Sequence, residues 1–337
     1  MVSPRLAPVV RRGRDGLVQL ASRVAPVRRA MARAGEELER AARIGEVLAE
    51  ARAPKSGAFY GPSYFGVGRD ATGDRQGHSG YASYDRVSSN ADIAAYLLWR
   101  NFRAQHTLDV GCARGFVVEA LRELGVDAHG CDVSPYAVAH AAPGALGFVR
   151  LGDLGRTLPY ADGEFDLVSA MEVLEHLEPA AVPAALRELG RVCGGVLYAT
   201  IPSFGPNPSG PDGHLAGKVR PERLGAYEAL GPGYDGPVPL DDLERDADGQ
   251  PVEGHLTIAS YRWWTARFAE AGFVRWPDVE ARLHADLAPT GLGAYWDLYV
   301  LAVPDAPPAL AAARHPAATL ADLGLVHPLL EAAGDLR

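Results

Sequence analysis

The sequence predicts an α/β fold: a mostly parallel sheet with helices wound on both faces. Three observations carry this. From Thr107 onward, short apolar runs alternate with helical stretches. The run Thr107-Leu108-Asp109-Val110 meets a tight turn through Gly111, Ala113 and Gly115, after which Phe116, Val117, Val118, Leu121 and Leu124 recur at helical spacing. Some way further on, a second apolar strand ends on Gly130-Cys131-Asp132, where a carboxylate can take both hydroxyls of a ribose. A strand, a glycine turn and a helix N-terminus together suit a nucleotide-like ligand. The small residues let the backbone approach, and the helix end offers unpaired N–H groups.

Composition sets the outer limits. At 337 residues the chain can bury one large core or two modest ones. Its 47% hydrophobic and 22% charged residues suit a globular protein, and its net charge of −9 argues against general nucleic-acid binding. The cysteines Cys112, Cys131 and Cys193 show no CxxC spacing. That implies neither a disulfide frame nor a structural zinc, and a reduced, cytoplasmic setting. No apolar run reaches the length of a membrane span.

Taken in order, residues 1–53 read as a helical extension, basic to about Arg33 and of mixed charge from Glu36. Arginines interrupt every apolar stretch, so it is not a secretory signal. Leu17, Val18, Leu20, Val24 and Val27 can line one helix face. The arm then either meets an anionic membrane surface or polyanionic partner, or packs on the domain and supports a dimer; the second is the plainer reading. Residues 54–90, rich in Gly, Ser and aromatics, read as a lid loop whose Tyr60, Tyr64, Phe65, Tyr81 and Tyr84 cover the ligand. Residues 91–304 form the main domain, opened by an amphipathic helix over Ala91 to Arg103. Strands are expected at Thr107–Val110, about Ala128–Cys131, Phe148–Leu151, Phe165–Ala170 and Gly195–Ile201, with Ser134-Pro135 opening a helix. Phe273–Ala281 and Ala294–Val303 fit the last two strands. Residues 204–254, dense in Gly and Pro, read as a substrate-loop insertion in which His214, Arg220, Arg223, Tyr227 and Tyr234 are the possible contacts. Trp296 and Asp297 are read as fold rather than site. The tail 305–337 is Ala- and Pro-rich, with one amphipathic helix near Thr319 to Ala333.

The turn discriminates between two ligand classes. A dinucleotide turn, G-x-G-x-x-G, beds a pyrophosphate. Here the pattern is D-x-G-x-A-x-G, and Asp109 would repel a pyrophosphate while suiting the ammonium end of a zwitterionic amino-acid ligand. The stretch resembles motif I of the class I S-adenosylmethionine (SAM)-dependent methyltransferases, with Ala113 where glycine is commoner. Four further signals follow at matching spacings: Asp132 ending strand two, Gly152-Asp153 after strand three, FDLV…EVLEH in strand four, and Pro202-Ser203 after strand five. The resemblance covers about Thr107 to Pro304, and its specific part lies between Asp109 and Pro202. Within the class, the GCARGF turn resembles methyltransferases of glycan and natural-product pathways. The resemblance implies a Rossmann-like doubly wound sheet with an antiparallel last strand pair. It implies SAM as cofactor, held by Asp109, Gly111, Cys112, Ala113 and Gly115 of the turn, by Asp132 and Val133 at the ribose, by Asp153 and Leu154 at the adenine, and by Met171 at the end of strand four. Tyr81 and Tyr84 are its preferred pair for the SAM carboxylate.

Methyl transfer needs the acceptor atom and the methyl held in line with water excluded, and a hydroxyl acceptor also needs its proton removed. His255 and His176 are the candidate bases, each with the alternative of a structural histidine bonded to backbone. Glu172, Glu175 and His176 form E-x-x-E-H. That resembles the metal-binding element of ubiquinone-biosynthesis O-methyltransferases and of small-RNA 2′-O-methyltransferases, whose sites need further ligands; His214 or His255 would complete one. Pro179 stands where a following carboxylate is expected, and similar turns occur in metal-free relatives. No metal ligand is therefore assigned, and a divalent metal is admitted but not favoured. The expected function is methylation of a small-molecule acceptor, first a hydroxyl of a sugar or secondary metabolite, with carbon and nitrogen acceptors open. The alternatives are a SAM-binding regulatory or scaffold protein without activity and, more weakly, a dinucleotide-dependent reductase.

Overall fold

In a computed structural model the chain divides into residues 1–58 and 59–337. The structure describes residues 59–62, 64–66, 84–208, 210, 212–245, 249–288, 297–312 and 314–315, all in the second unit. The basic arm, Tyr81, Trp296 and the tail helix near Thr319 lie outside the described residues.

Helix α1 (Ala91–Asn101) precedes β1 (His106–Val110), α2 (Phe116–Glu123), β2 (Asp127–Asp132), α3 (Pro135–Ala139), β3 (Val149–Leu151) and β4 (Phe165–Met171). Then come α4 (Val182–Val192), β5 (Cys193–Thr200), α5 (Pro221–Leu230), α6 (Tyr261–Glu270), β6 (Val274–Arg275), α7 (Pro277–Leu287), β7 (Leu298–Ala302) and α8 (Ala309–Ala312). The seven strands lie in the order β3-β2-β1-β4-β5-β7-β6. The first five run parallel, while β7 is antiparallel to both β5 and β6. This is the doubly wound sheet with an antiparallel last pair that the sequence predicts.

The strands read as apolar runs because both faces are covered. Leu97, Leu98, Val118, Leu121, Leu283 and Leu287, from α1, α2 and α7, pack on one face. Leu186, Leu189, Trp264 and Phe268, from α4 and α6, pack on the other. Strand order reverses between β1 and β4, and in open sheets of this kind ligands bind at that switch point, beyond the carboxyl ends of the strands. The turns after β1, β2 and β4 therefore define where a site must lie.

Two expectations need correction. Phe273–Ala281 is not a strand: β6 is only Val274–Arg275, and Pro277 then starts α7 from its first position, where a missing N–H costs nothing. The insertion 204–254 is not a plain loop. It contains α5 and short 3-10 turns, and it buries a small core of its own from Phe204, Val219, Tyr227, Val238, Leu243 and Ile258. Its apolar residues are spread between glycines and prolines without helical or strand period, so periodicity does not reveal them.

Candidate active site

The turn after β1 is pulled onto β2: the N–H groups of Gly111 and Cys112 donate to the Cys131 carbonyl at 2.8 and 3.1 Å. Gly111 (φ 73°) has no room for a side chain, because a Cβ there would lie 2.4 Å from Val173 Cγ2. Ala113 adopts a left-handed φ of 48°, which explains why glycine is commoner at that position. It is held there by its N–H, which donates to Asp132 Oδ2 at 2.7 Å. Asp132 Oδ1 accepts from the Ser134 N–H at 2.7 Å. The carboxylate at the end of β2 is thus oriented by two backbone donors, and burial pushes it up to about 6. Val133 beside it is half-buried.

Asp109 is only 3% exposed and accepts from the Ser169 hydroxyl at 2.7 Å. Burial lifts its carboxyl to about 7. Asp153, after β3, is turned back onto its own loop by the Gly155 N–H at 2.8 Å, and the next residue, Leu154, is buried. Met171 closes β4 half-buried. Cys112, Cys131 and Cys193 are free and buried.

The aromatic segment before α1 reaches this site at a place the sequence does not single out. Tyr84 lies against Phe65 and Phe116, with ring centroids 5.2 and 5.8 Å away. Tyr60 goes further. Its carbonyl accepts from the Ser134 hydroxyl at 2.6 Å, and its ring meets His176 edge-on at 5.7 Å. Burial, reinforced by the charges of Asp132 and Glu175, holds its phenol in the protonated form. Tyr60 therefore adjoins both the segment that follows β2 and the histidines.

The histidines, read from the sequence as alternatives, come together. Glu175, His176 and His255 offer ligand atoms that all lie within 4.8 Å of one another. The ring centroids of His176 and His255 are 5.0 Å apart, and His255 Nε2 is 3.8 Å from Glu175 Oε1. The 3-10 turn Leu174–His176 after β4 presents Glu175 and His176. The chain that follows His255 is tied to the same turn, since Leu256 and Thr257 donate N–H bonds to the Glu175 carbonyl at 2.7 and 2.9 Å. His176 Nδ1 bonds the Gly254 carbonyl at 3.2 Å, leaving Nε2 for a ligand.

Glu175 is fully buried, and neither carboxylate oxygen has a hydrogen-bond partner among the described residues. Burial raises its pKa well above the usual range, and the neighbouring Glu172 adds to this. Burial also lowers both histidines, His176 to about 4 and His255 well below its ordinary value. A buried carboxylate without donors, beside two neutral imidazoles, fits a divalent cation in its donor set and in what it lacks. Glu172, at a strained φ of 54°, precedes this group in the chain, and burial pushes it up to about 7. Its successor Val173 is the residue packed on Gly111.

The insertion residues named from the sequence have other duties. Arg223 and Tyr227 converge on Asp242 at 2.9 and 2.6 Å, and Arg220 joins them at 3.4 Å. Tyr234 bonds the Pro237 carbonyl and stacks on Phe204. His214 is exposed, outside the Glu175 group. Asp297 is fold, as expected: it accepts from Ser203 N, Ser203 Oγ and Asn207 Nδ2 at 3.1, 2.9 and 3.1 Å. An apolar cavity of about 430 Å³ opens between the insertion and α6, walled by Phe204, Pro206, Tyr234 and Tyr261. Its arginines are already paired, Arg262 with Asp235 and Arg275 with Glu280.

The sheet order and the acidic small-residue turn define a domain of the class I methyltransferase type. Residues 108–199 match the family model described as a methyltransferase domain. Among curated proteins, a ubiquinone biosynthesis O-methyltransferase of Thiobacillus denitrificans is 33% identical over 121 residues, covering 31% of this chain and 50% of the relative. Another, from Methylococcus capsulatus, is 37% identical over 106 residues, covering 28% and 42%. The chain thus spans about half the length of the curated relatives it matches. A solved SAM-dependent methyltransferase of Archaeoglobus fulgidus shares 15% identity over 65% of this chain and 94% of its own, with a TM-score of 0.38. No described helix is long and apolar enough to cross a membrane.

Proposed function

We propose that the protein transfers the methyl group of SAM to a hydroxyl of a small-molecule acceptor, with Glu175, His176 and His255 holding a divalent cation on the acceptor side. The observation that carries this reading is the place of that group. It follows directly on β4, and Val173, two residues before Glu175, packs against Gly111 of the cofactor turn. Cofactor and acceptor would meet between them. The relatives are named O-methyltransferases, which favours oxygen as the acceptor atom; a sugar or secondary-metabolite hydroxyl remains the first acceptor to try.

In this reaction the acceptor oxygen forms a bond to the methyl carbon as the carbon–sulfur bond breaks. S-adenosylhomocysteine leaves, and the hydroxyl proton passes to solvent or to a base. Asp132, held by the Ala113 and Ser134 N–H groups, takes the ribose hydroxyls. Tyr60, Tyr84 and Phe65 shield the cofactor from water. A bound divalent cation acidifies and fixes a coordinated hydroxyl. His176 and His255, kept neutral by burial, would present ring nitrogens to such a cation rather than compete for the proton.

The test is calorimetric titration of SAM and S-adenosylhomocysteine into the purified protein, with Mn2+ and with EDTA. SAM binding at micromolar affinity, Mn2+ binding that Glu175→Gln abolishes, and methylation lost in EDTA are the expected results. Full activity in EDTA would remove the cation and return the histidines to the role of base. Failure to bind SAM would remove the function.

A further inference from the structure

Lysine is scarce in this chain: of its 33 basic residues only Lys55 and Lys218 are lysines. Lys218 lies in the insertion, on backbone fixed from several sides. Its carbonyl accepts from the Glu244 N–H at 3.1 Å, its own N–H donates to the Leu215 carbonyl at 3.0 Å, and the next residue, Val219, is buried in the insertion's core. Its ammonium donates one hydrogen bond, to the Ser203 carbonyl at 3.3 Å. The carboxylates of Asp297, Glu172, Glu175 and Glu253 face it, yet none lies within ion-pair distance among the described residues. An ammonium carries three donors, so two are left over. Lys218 lines a small cavity together with Glu244, Glu253 and His255. The cavity measures about 20 Å³, which is room for one water-sized group.

We propose that Lys218 orients the acceptor. Its ammonium donates to an oxygen of the acceptor seated in this cavity, while the hydroxyl to be methylated lies next door at the Glu175–His176–His255 group. The acceptor accordingly carries a second oxygen function close to the reacting hydroxyl. This rests on the methyl-transfer reading above. A compact ammonium suits a cavity of this size, whereas a guanidinium is a planar fork too large for it. The insertion's own core then has a purpose: it holds Lys218 in place.

The experiment compares wild type, Lys218→Met and Lys218→Arg in Mg2+ with saturating SAM, following release of S-adenosylhomocysteine. Two probes carry adjacent hydroxyls, 3,4-dihydroxybenzoate and methyl glucoside; two carry a single hydroxyl, phenol and cyclohexanol. Titration of each probe into protein saturated with S-adenosylhomocysteine supplies a binding readout apart from turnover. The expected result is that wild type uses at least one adjacent-hydroxyl probe and neither single-hydroxyl probe. Both variants should raise the KM and Kd of that probe at least ten-fold, with SAM affinity and melting temperature little changed. A Lys218→Arg variant with wild-type acceptor kinetics would reduce Lys218 to a counter-ion and overturn the proposal. So would equal use of phenol or cyclohexanol, or wild type that binds SAM and methylates no probe. Wild type that binds no SAM overturns the methyl-transfer reading, and this inference with it.

Discussion

Asp132→Asn separates the cofactor half of the site from everything around it. The side chain keeps its shape and loses its charge. Burial lifts the native carboxyl to about 6, so holding it ionised at neutral pH costs on the order of 3 kcal/mol, at about 1.4 kcal/mol per unit. That cost is recovered only when the ribose hydroxyls donate to it, each such bond contributing roughly 1.5–3 kcal/mol. Exchanging a charged acceptor for a neutral one across two hydroxyls should cost about 2–4 kcal/mol of SAM affinity, a weakening of roughly 30- to 1,000-fold. The ligand-free protein should melt within a few degrees of wild type. Relief of the buried charge offsets the amide hydrogen that now faces the Ala113 or Ser134 N–H. Calorimetry supplies the affinities, and its pH dependence sharpens the result. A proton competes with the ribose for the carboxylate. Wild-type affinity should therefore be flat above pH about 6 and fall towards about ten-fold per unit below it; the variant should show no such bend. An Asp132→Asn affinity within three-fold of wild type, or the same bend in both proteins, would refute the assignment of Asp132 to the ribose.

Three further outcomes follow from the same geometry. Asp109, held up at about 7 by burial, binds more protons in the native chain than unfolded between about pH 4 and 7, so it lowers stability as pH rises through that window. Asp109→Asn should therefore gain on wild type by up to about 1.4 kcal/mol per pH unit there; a difference constant with pH in denaturant titrations would sink this. Glu175→Gln replaces a buried carboxyl that has no hydrogen-bond partner among the described residues, so in EDTA its melting temperature should stay close to or exceed that of wild type, while Mn2+ should no longer raise it; a large loss of stability in EDTA would show that the carboxylate has partners of its own. Gly111→Ala puts a methyl 2.4 Å from Val173 Cγ2 at a φ of 73° and should cost roughly 1–3 kcal/mol in thermal unfolding. Val173→Ala should restore part of that, and no recovery would mean the backbone conformation, not the contact, dominates.

The sheet and the cofactor turn are legible in the sequence because short-range rules write them. Strands covered on both faces read as apolar runs, and Gly111, Ala113 and Gly115 mark a turn that needs positive φ. The acceptor side is less legible. His176 and His255 are 79 positions apart in the chain, and no local pattern says that the segment after the insertion folds back to give its backbone N–H groups to Glu175. E-x-x-E-H followed by a distant histidine was the available signal; the missing piece was the fold that joins them. Arg220, Arg223 and Tyr227 mislead in the opposite sense. They resemble recognition residues by type, yet Asp242 gathers all three, a pairing across about twenty residues of irregular chain that periodicity does not report. Tyr60 was obscured by company, one tyrosine in a run of aromatics, until its contacts with Ser134 and His176 set it apart.

The Asp242 hub has a consequence for how this protein can change. The bonds that hold the insertion together are mostly its own, among Arg220, Arg223, Tyr227 and Asp242 and within the core around Val219 and Leu243. Its ties to the rest of the domain gather at a limited set of points: Lys218 to the Ser203 carbonyl, Asn207 to Asp297, Asp235 to Ser260 and Arg262, the Gly254 carbonyl to His176, and backbone bonds that join Phe204 to Ala259 and Tyr261. Such a piece can drift, or be exchanged by recombination, while the cofactor turn stays as it is. Descendants of this chain would then inherit one methyl donor and diverge in what they methylate.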